Sequence, residues 1–135
     1  MTLSVLFSLN LLTPVLGISF TNIRQAQGSI YLGVYRSAAD FLKPEKACLK
    51  KIIRVGSAGS LDLDCSELAP GIYAVSCFHD LNGNGKLDTN FFGIPTEPYG
   101  FSNNARPKFR APRWEEARFE VKERGSRITI RLEKW

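Results

Sequence analysis

The chain has 135 residues, with 18 Lys+Arg against 13 Asp+Glu, one His, three Cys and a formal net charge of +5. That length holds one compact domain and excludes an enzyme assembled from a cofactor domain and a separate substrate domain. Nine Phe, four Tyr and two Trp in a chain that is 44% hydrophobic also exclude a disordered polypeptide.

Residues 1–17, MTLSVLFSLNLLTPVLG, carry no charge, are rich in Leu, Val and Phe, and end in a small-residue pattern suited to signal peptidase. They are read as an export signal, leaving residues 18–135 as the domain. The uncharged run is shorter than the roughly 20 apolar residues of a membrane span, so no permanent anchor is expected. Ile18 follows Gly17, so that junction offers no cysteine to a lipid. The competing reading, a first buried strand within residues 3–16 of a cytosolic domain, fits a wholly uncharged start less well. Export places Cys48, Cys65 and Cys77 in an oxidising space, where three thiols allow at most one internal disulfide. A Cys48 to Cys65 bridge is open on sequence grounds, and Cys77, inside the apolar run YAVSCF, reads as a small core hydrophobe.

Alternating runs follow at residues 18–23, 29–36, 49–55, 61–65, 72–79, 117–122 and 127–133, separated by turn-forming residues. Residues 37–42 are the one helical candidate, with Ser37 as its N-cap. Residues 72–79 form the most apolar run and read as a central strand, and Gly125-Ser126 reads as a hairpin turn between the last two strands. Seven short strands predict an all-β fold, a seven-stranded antiparallel β-sandwich. Residues 80–114 break the rhythm with a long loop insertion, and a connection of that length inside a compact domain is usually functional.

The insertion opens on Asp80-Leu81-Asn82-Gly83-Asn84-Gly85-Lys86-Leu87-Asp88. Oxygen-bearing side chains stand at the first, third, fifth and ninth positions, Gly at the sixth, and the Lys86 carbonyl at the seventh, as in an EF-hand calcium loop. A loop curling around a hard cation aims alternate side chains inward, and Gly permits its sharp turn. The twelfth position holds Phe91 in place of the bidentate Glu, so the loop offers five oxygens where Ca²⁺ takes about 6–8. Water, a bidentate Asp88 or Glu97 folding back would complete the shell. A weak structural calcium site, with Kd on the order of 10⁻⁴ to 10⁻³ M, is expected at Asp80, Asn82, Asn84, Lys86 and Asp88. The alternative is a metal-free turn, since Asn-Gly pairs form hairpins readily. No CxxC or Cys/His cluster suggests zinc or an iron–sulfur site.

The run HDxNGNGxLDxNxFGIPxExYGFSNNA at residues 79–105, with the segment through residue 121, resembles the signature of a family of exported bacterial proteins, the domain of unknown function 2141. The similarity spans essentially all of residues 18–135. It implies a transthyretin-like (prealbumin-type) sandwich in an exported protein with no established activity. Leu68-Ala69-Pro70-Gly71-Ile72-Tyr73 is similar to the strand entry of other domains of that fold. A Gly commonly follows the Phe after GFSNNA in the family pattern, whereas Arg110 follows Phe109 here.

His79, Asp80 and Glu97 are the residues from which a hydrolase could be built, but a general base needs a nucleophile and an orienting partner, and none is evident. His79 reads instead as a hydrogen-bonding residue that shapes the loop. Phe91, Phe92, Tyr99, Phe101 and Trp114 flank Asn90, Asn103 and Asn104. Glu97, Tyr99, Phe101, Asn103 and Asn104 are therefore candidates for binding a sugar or peptide, while aromatics capping an open end of the sandwich are the plainer reading. Basic residues cluster at 43–55 and 104–118, where an exported chain would meet anionic polymers or headgroups rather than nucleic acid, if these are more than a solvated surface. The sequence thus predicts a non-enzymatic binding module of the cell envelope, in the periplasm or outside the cell, whose partner is a glycan or a protein.

Overall fold

The structure is a computed structural model and describes residues 14–135. The expected export segment lies outside the described residues up to residue 13. Strand β1, Leu16–Ile23, buries Leu16, Ile18 and Phe20 and forms the centre of a three-stranded sheet. It pairs antiparallel with β4, Gly59–Cys65, through Ile18 opposite Leu63 and Phe20 opposite Leu61. On its other side it runs parallel to β8, Ser126–Arg131, through Ile18 opposite Ile128 and Phe20 opposite Ile130.

The second sheet has five strands. Its path is β3 (Leu49–Arg54), β2 (Ser29–Tyr35), β5 (Gly71–Asp80) and β6 (Tyr99–Phe101), with β7 (Phe119–Val121) also paired to β5. Period-two alternation sends Ile30, Leu32 and Val34 of β2 and Tyr73, Val75 and Cys77 of β5 into the same core as Leu16, Ile18, Phe20 and Ile130. Two sheets sharing one hydrophobic core make a β-sandwich. The apolar run at 72–79 is central as expected, because β5 alone pairs with three other strands.

Several expectations are corrected. The described residues contain eight strands rather than seven, and the β1–β8 pair is parallel, so the sandwich is not wholly antiparallel. The added strand, β6, lies within the supposed loop insertion, held by Phe78 opposite Tyr99 and Ser76 opposite Phe101. The Gly125-Ser126 turn joins no hairpin, since β7 pairs with β5 and β8 with β1; it carries the chain from one sheet to the other. Ala117, expected to open β7, instead closes a short helix, α1, at Trp114–Ala117. Residues 37–42 make one capped turn, with the Asp40 N–H donating to Ser37 Oγ at 3.2 Å.

The expected boundary after Gly17 falls inside β1. Leu16 is fully buried and pairs with Cys65 and Ser126, while Gly17 pairs with Asp64 and Arg127. All three cysteines are free, Cys48 exposed and Cys65 and Cys77 buried, so no Cys48–Cys65 bridge forms. Complete burial pushes the Cys77 thiol up to about 12, in keeping with a core role.

Candidate functional site

The Asp80–Asp88 loop begins where β5 leaves the sheet. Asp80 is buried, and its two oxygens accept the N–H groups of Gly83 at 3.1 Å and Gly85 at 2.8 Å. Asn82 Oδ1 then accepts from the Asn84 N–H and Asn84 Oδ1 from the Lys86 N–H, both at 3.2 Å. These successive side-chain turns are what Asp and Asn do locally, and they curl the backbone with Gly85 at φ 78°. The side chains at the third, fifth and ninth positions converge: Asn82 Nδ2 donates to Asp88 Oδ2 at 2.5 Å and Asn84 Nδ2 to Asp88 Oδ1 at 2.6 Å.

Glu97 closes the loop from outside. It is buried, and its carboxylate accepts the Leu81 N–H at 2.8 Å through one oxygen and the Asp88 N–H at 3.0 Å through the other. One side chain therefore bridges the two ends of the loop. The Thr96 N–H, donating to the Asp88 carbonyl at 2.9 Å, adds a backbone tie beside it. The donor set of the loop is all oxygen, which fits a hard cation such as Ca²⁺ and not a soft one. It carries only two carboxylates, and the described residues contain no group of three or more His, Cys, Asp or Glu able to hold a metal. Glu97 supports the loop through backbone N–H groups rather than adding a third carboxylate to such a group.

His79 and Asp80 are consecutive in β5 and so project to opposite faces of the sheet. His79 is buried, with Nε2–H donating to the Gln27 carbonyl at 2.6 Å, which ties β5 to the chain before β2. The GFSNNA segment is equally committed. Ser102 Oγ accepts the Val75 N–H at 2.9 Å and donates to the Ala117 carbonyl at 2.5 Å. Asn103 Nδ2 donates to the carbonyls of Glu116 and Arg118 at 3.1 and 2.8 Å. Asn104 accepts the Arg131 N–H at 2.9 Å. Both asparagines adopt left-handed backbone, at φ 61° and 50°, a conformation Asn tolerates better than most residues. They bind this segment to Glu116 and Arg118, at the C-terminal end of the helical turn Trp114–Ala117, and to β8.

Arg106, one of the basic residues of the 104–118 cluster, has a specific structural role. Its guanidinium donates to the Tyr99 carbonyl at 3.0 Å and to the Glu133 carbonyl, and stacks 4.0 Å over the Tyr99 ring. It pins the C-terminal segment to β6, a long-range role that no local pattern announces. Arg110 forms a two-pronged pair with Glu116, at 2.8 and 3.0 Å. The left-handed residue of this turn is Phe109, at φ 64°.

The aromatics divide by exposure. Tyr99 and Phe101 are half-buried and meet edge to face, and Trp114 packs against Phe41. Phe91 and Phe92 are 96% and 81% exposed, and Phe109 is 83% exposed. An open groove of about 570 Å³ runs between Phe92, Ile94, Phe109 and Trp135. Phe92 and Phe109 thus share the lining of one groove, with Phe91 beside Phe92.

Fold and loop define a two-sheet β-sandwich that carries an Asp/Asn loop and an aromatic surface. The chain belongs to the family described as "Uncharacterized protein conserved in bacteria (DUF2141)", whose model matches residues 18–129. No curated protein and no solved structure matches it.

Proposed function

We propose that the protein is an exported, non-enzymatic binding module of the bacterial cell envelope, whose Asp80–Asp88 loop is stabilised by calcium. The exposure of Phe91 and Phe92 carries this reading. They project from a segment whose base is held by Glu97 and the Asx turns, so the rings are presented on an anchored scaffold. Calcium would be held by Asp80, Asn82, Asn84, the Lys86 carbonyl and Asp88. It would supply the positive charge that the two carboxylates otherwise share with amide N–H groups. The transthyretin-like form of the sandwich belongs to the same reading.

Calorimetry with CaCl₂ tests the loop. A saturable heat with Kd on the order of 10⁻⁴ to 10⁻³ M is expected, lost in Asp88→Asn. Pull-down of envelope glycans and proteins, with and without chelator, tests the module. The Phe91→Ala, Phe92→Ala double variant is expected to lose the partner while keeping its thermal midpoint. Partner capture unaffected by that variant would remove the aromatic surface from the argument.

A further inference from the structure

The outward face of the larger sheet carries a feature that the loop and its aromatics do not explain. The strand register places Ile52 of β3 opposite Tyr31 of β2, Tyr31 opposite Phe78 of β5, and Phe78 opposite Tyr99 of β6. Residues opposite one another share a face, so these four make one apolar row across four strands, about 14 Å long at ~4.8 Å per strand. Within it the Tyr31 and Phe78 rings stack at 5.2 Å and 12°. The neighbouring row on the same face is Lys50, Gly33, Ser76 and Phe101. Its two central residues, Gly33 and Ser76, are small, and the Tyr35 ring lies over Gly33, its hydroxyl 3.0 Å from where a Cβ would stand, so the trough lies between that ring and the aromatic wall.

A cavity of about 590 Å³ occupies this trough, with Tyr35 and Pro44 on its far side and Gly85 to Leu87 of the Asp80–Asp88 loop forming another wall. That volume lies in the range of small-molecule sites, about 300–1,000 Å³. The charged residues that line it are basic, with Glu45, next to Pro44, acting on Tyr35 from its edge. Lys50, Lys51 and Lys86 line the cavity, and no Asp, Glu, Asn or Gln does. Lys51 is paired with Glu67, while Lys50 and Lys86 form no ion pair among the described residues. The polar side chains of the lining are the Tyr31, Tyr35 and Ser76 hydroxyls and the three lysines. An apolar chain with one negative end matches it.

We propose that the trough binds a single-chain fatty acid. The acyl chain lies across the strands against Tyr31 and Phe78, covering Ile52, which is otherwise 64% exposed, and Lys50 and Lys86 at the rim attract the carboxylate. The inference rests on the reading of the protein as a binding module.

The test is calorimetry of the full chain with decanoate below its micellar concentration, beside decanol, a neutral oligosaccharide and phosphatidylglycerol vesicles. Saturable one-to-one decanoate binding is expected, weakened about tenfold or more by the Lys50→Glu, Lys86→Glu double variant, with decanol binding unchanged. Ile52→Asp, at an exposed position, is expected to weaken both ligands; circular dichroism and thermal midpoints confirm that each variant folds. No saturable heat with decanoate, equal binding by the charge-reversed protein, or binding confined to vesicles overturns the proposal. If the oligosaccharide or an envelope protein binds and decanoate does not, the fatty-acid site falls and the binding-module reading stands.

Discussion

Glu97 shows how much one side chain can hold when both its oxygens meet backbone N–H groups. Hydrogen bonds to a charged acceptor contribute about 1.5–3 kcal/mol each, and this carboxylate makes two at the ends of one loop. Glu97→Gln keeps the shape but replaces one acceptor oxygen with an NH₂ donor facing an N–H. A loss of about 2 kcal/mol is expected, read as a lower urea midpoint with an unchanged slope. The residue was legible in sequence as a carboxylate placed beside the loop. Its two backbone partners were not, because residues nine and sixteen positions away become neighbours only when the chain folds back.

A second residue-scale prediction concerns Glu116. The hydrogen bonds from Arg110, and then the Arg113 backbone N–H, hold its carboxyl down at about 2 from an ordinary 4.5. A lowered folded value means that the stabilisation is complete above 4.5 and is lost as pH falls through about 2. The pair is solvent-exposed, so the local titration rather than global stability is the sensitive readout. Carbon-13 NMR of the side chain should show a midpoint near the lowered value, moving up towards 4.5 in Arg110→Ala.

At the scale of elements, the segment 80–114 is where sequence and structure part most. A strand of three residues, Tyr99–Phe101, has too few positions to display a period. A Cβ on Gly100 would meet Ile130 Cγ2 at 2.6 Å and the Arg131 carbonyl oxygen at 2.9 Å. The close approach of β6 to β8 therefore needs a residue without a side chain. Gly100→Ala is expected to cost about 1–3 kcal/mol through overpacking, measured as a fall in thermal midpoint. Gly56→Ala, which meets nothing within 4 Å, is the control. The longer strands were legible because alternation in 29–36, 61–65 and 72–79 matches their burial. The false hairpin at Gly125-Ser126 arose because a local turn signal specifies a reversal and not which sheet receives the next strand.

For the molecule as a whole, the parallel β1–β8 pair joins the first described strand to the last. It completes the smaller sheet across more than a hundred residues, a pairing of high sequence separation. The N-terminal boundary matters for that reason. Cleavage after Gly17 would remove the fully buried Leu16, a loss of the kind that costs about 2–5 kcal/mol in a core. If an N-terminal segment is removed, the product is expected to retain Leu16, which intact-mass spectrometry would show. A chain beginning at Ile18 should melt at a lower temperature than one beginning at Pro14.

Composition and period-two patterning by themselves determined the all-β class, the central position of β5, the core role of Cys77 and the place of the Asp/Asn loop. These properties are local, set by side-chain alternation and by the turn chemistry of Asp, Asn and Gly. Only the tertiary structure decided which strands share a sheet, that Glu97 and Arg106 bind distant backbone, and that Ile52, Tyr31, Phe78 and Tyr99 line up across four strands. Each of those depends on register between segments far apart in the chain, and a register is a property of pairs of strands that no single segment contains.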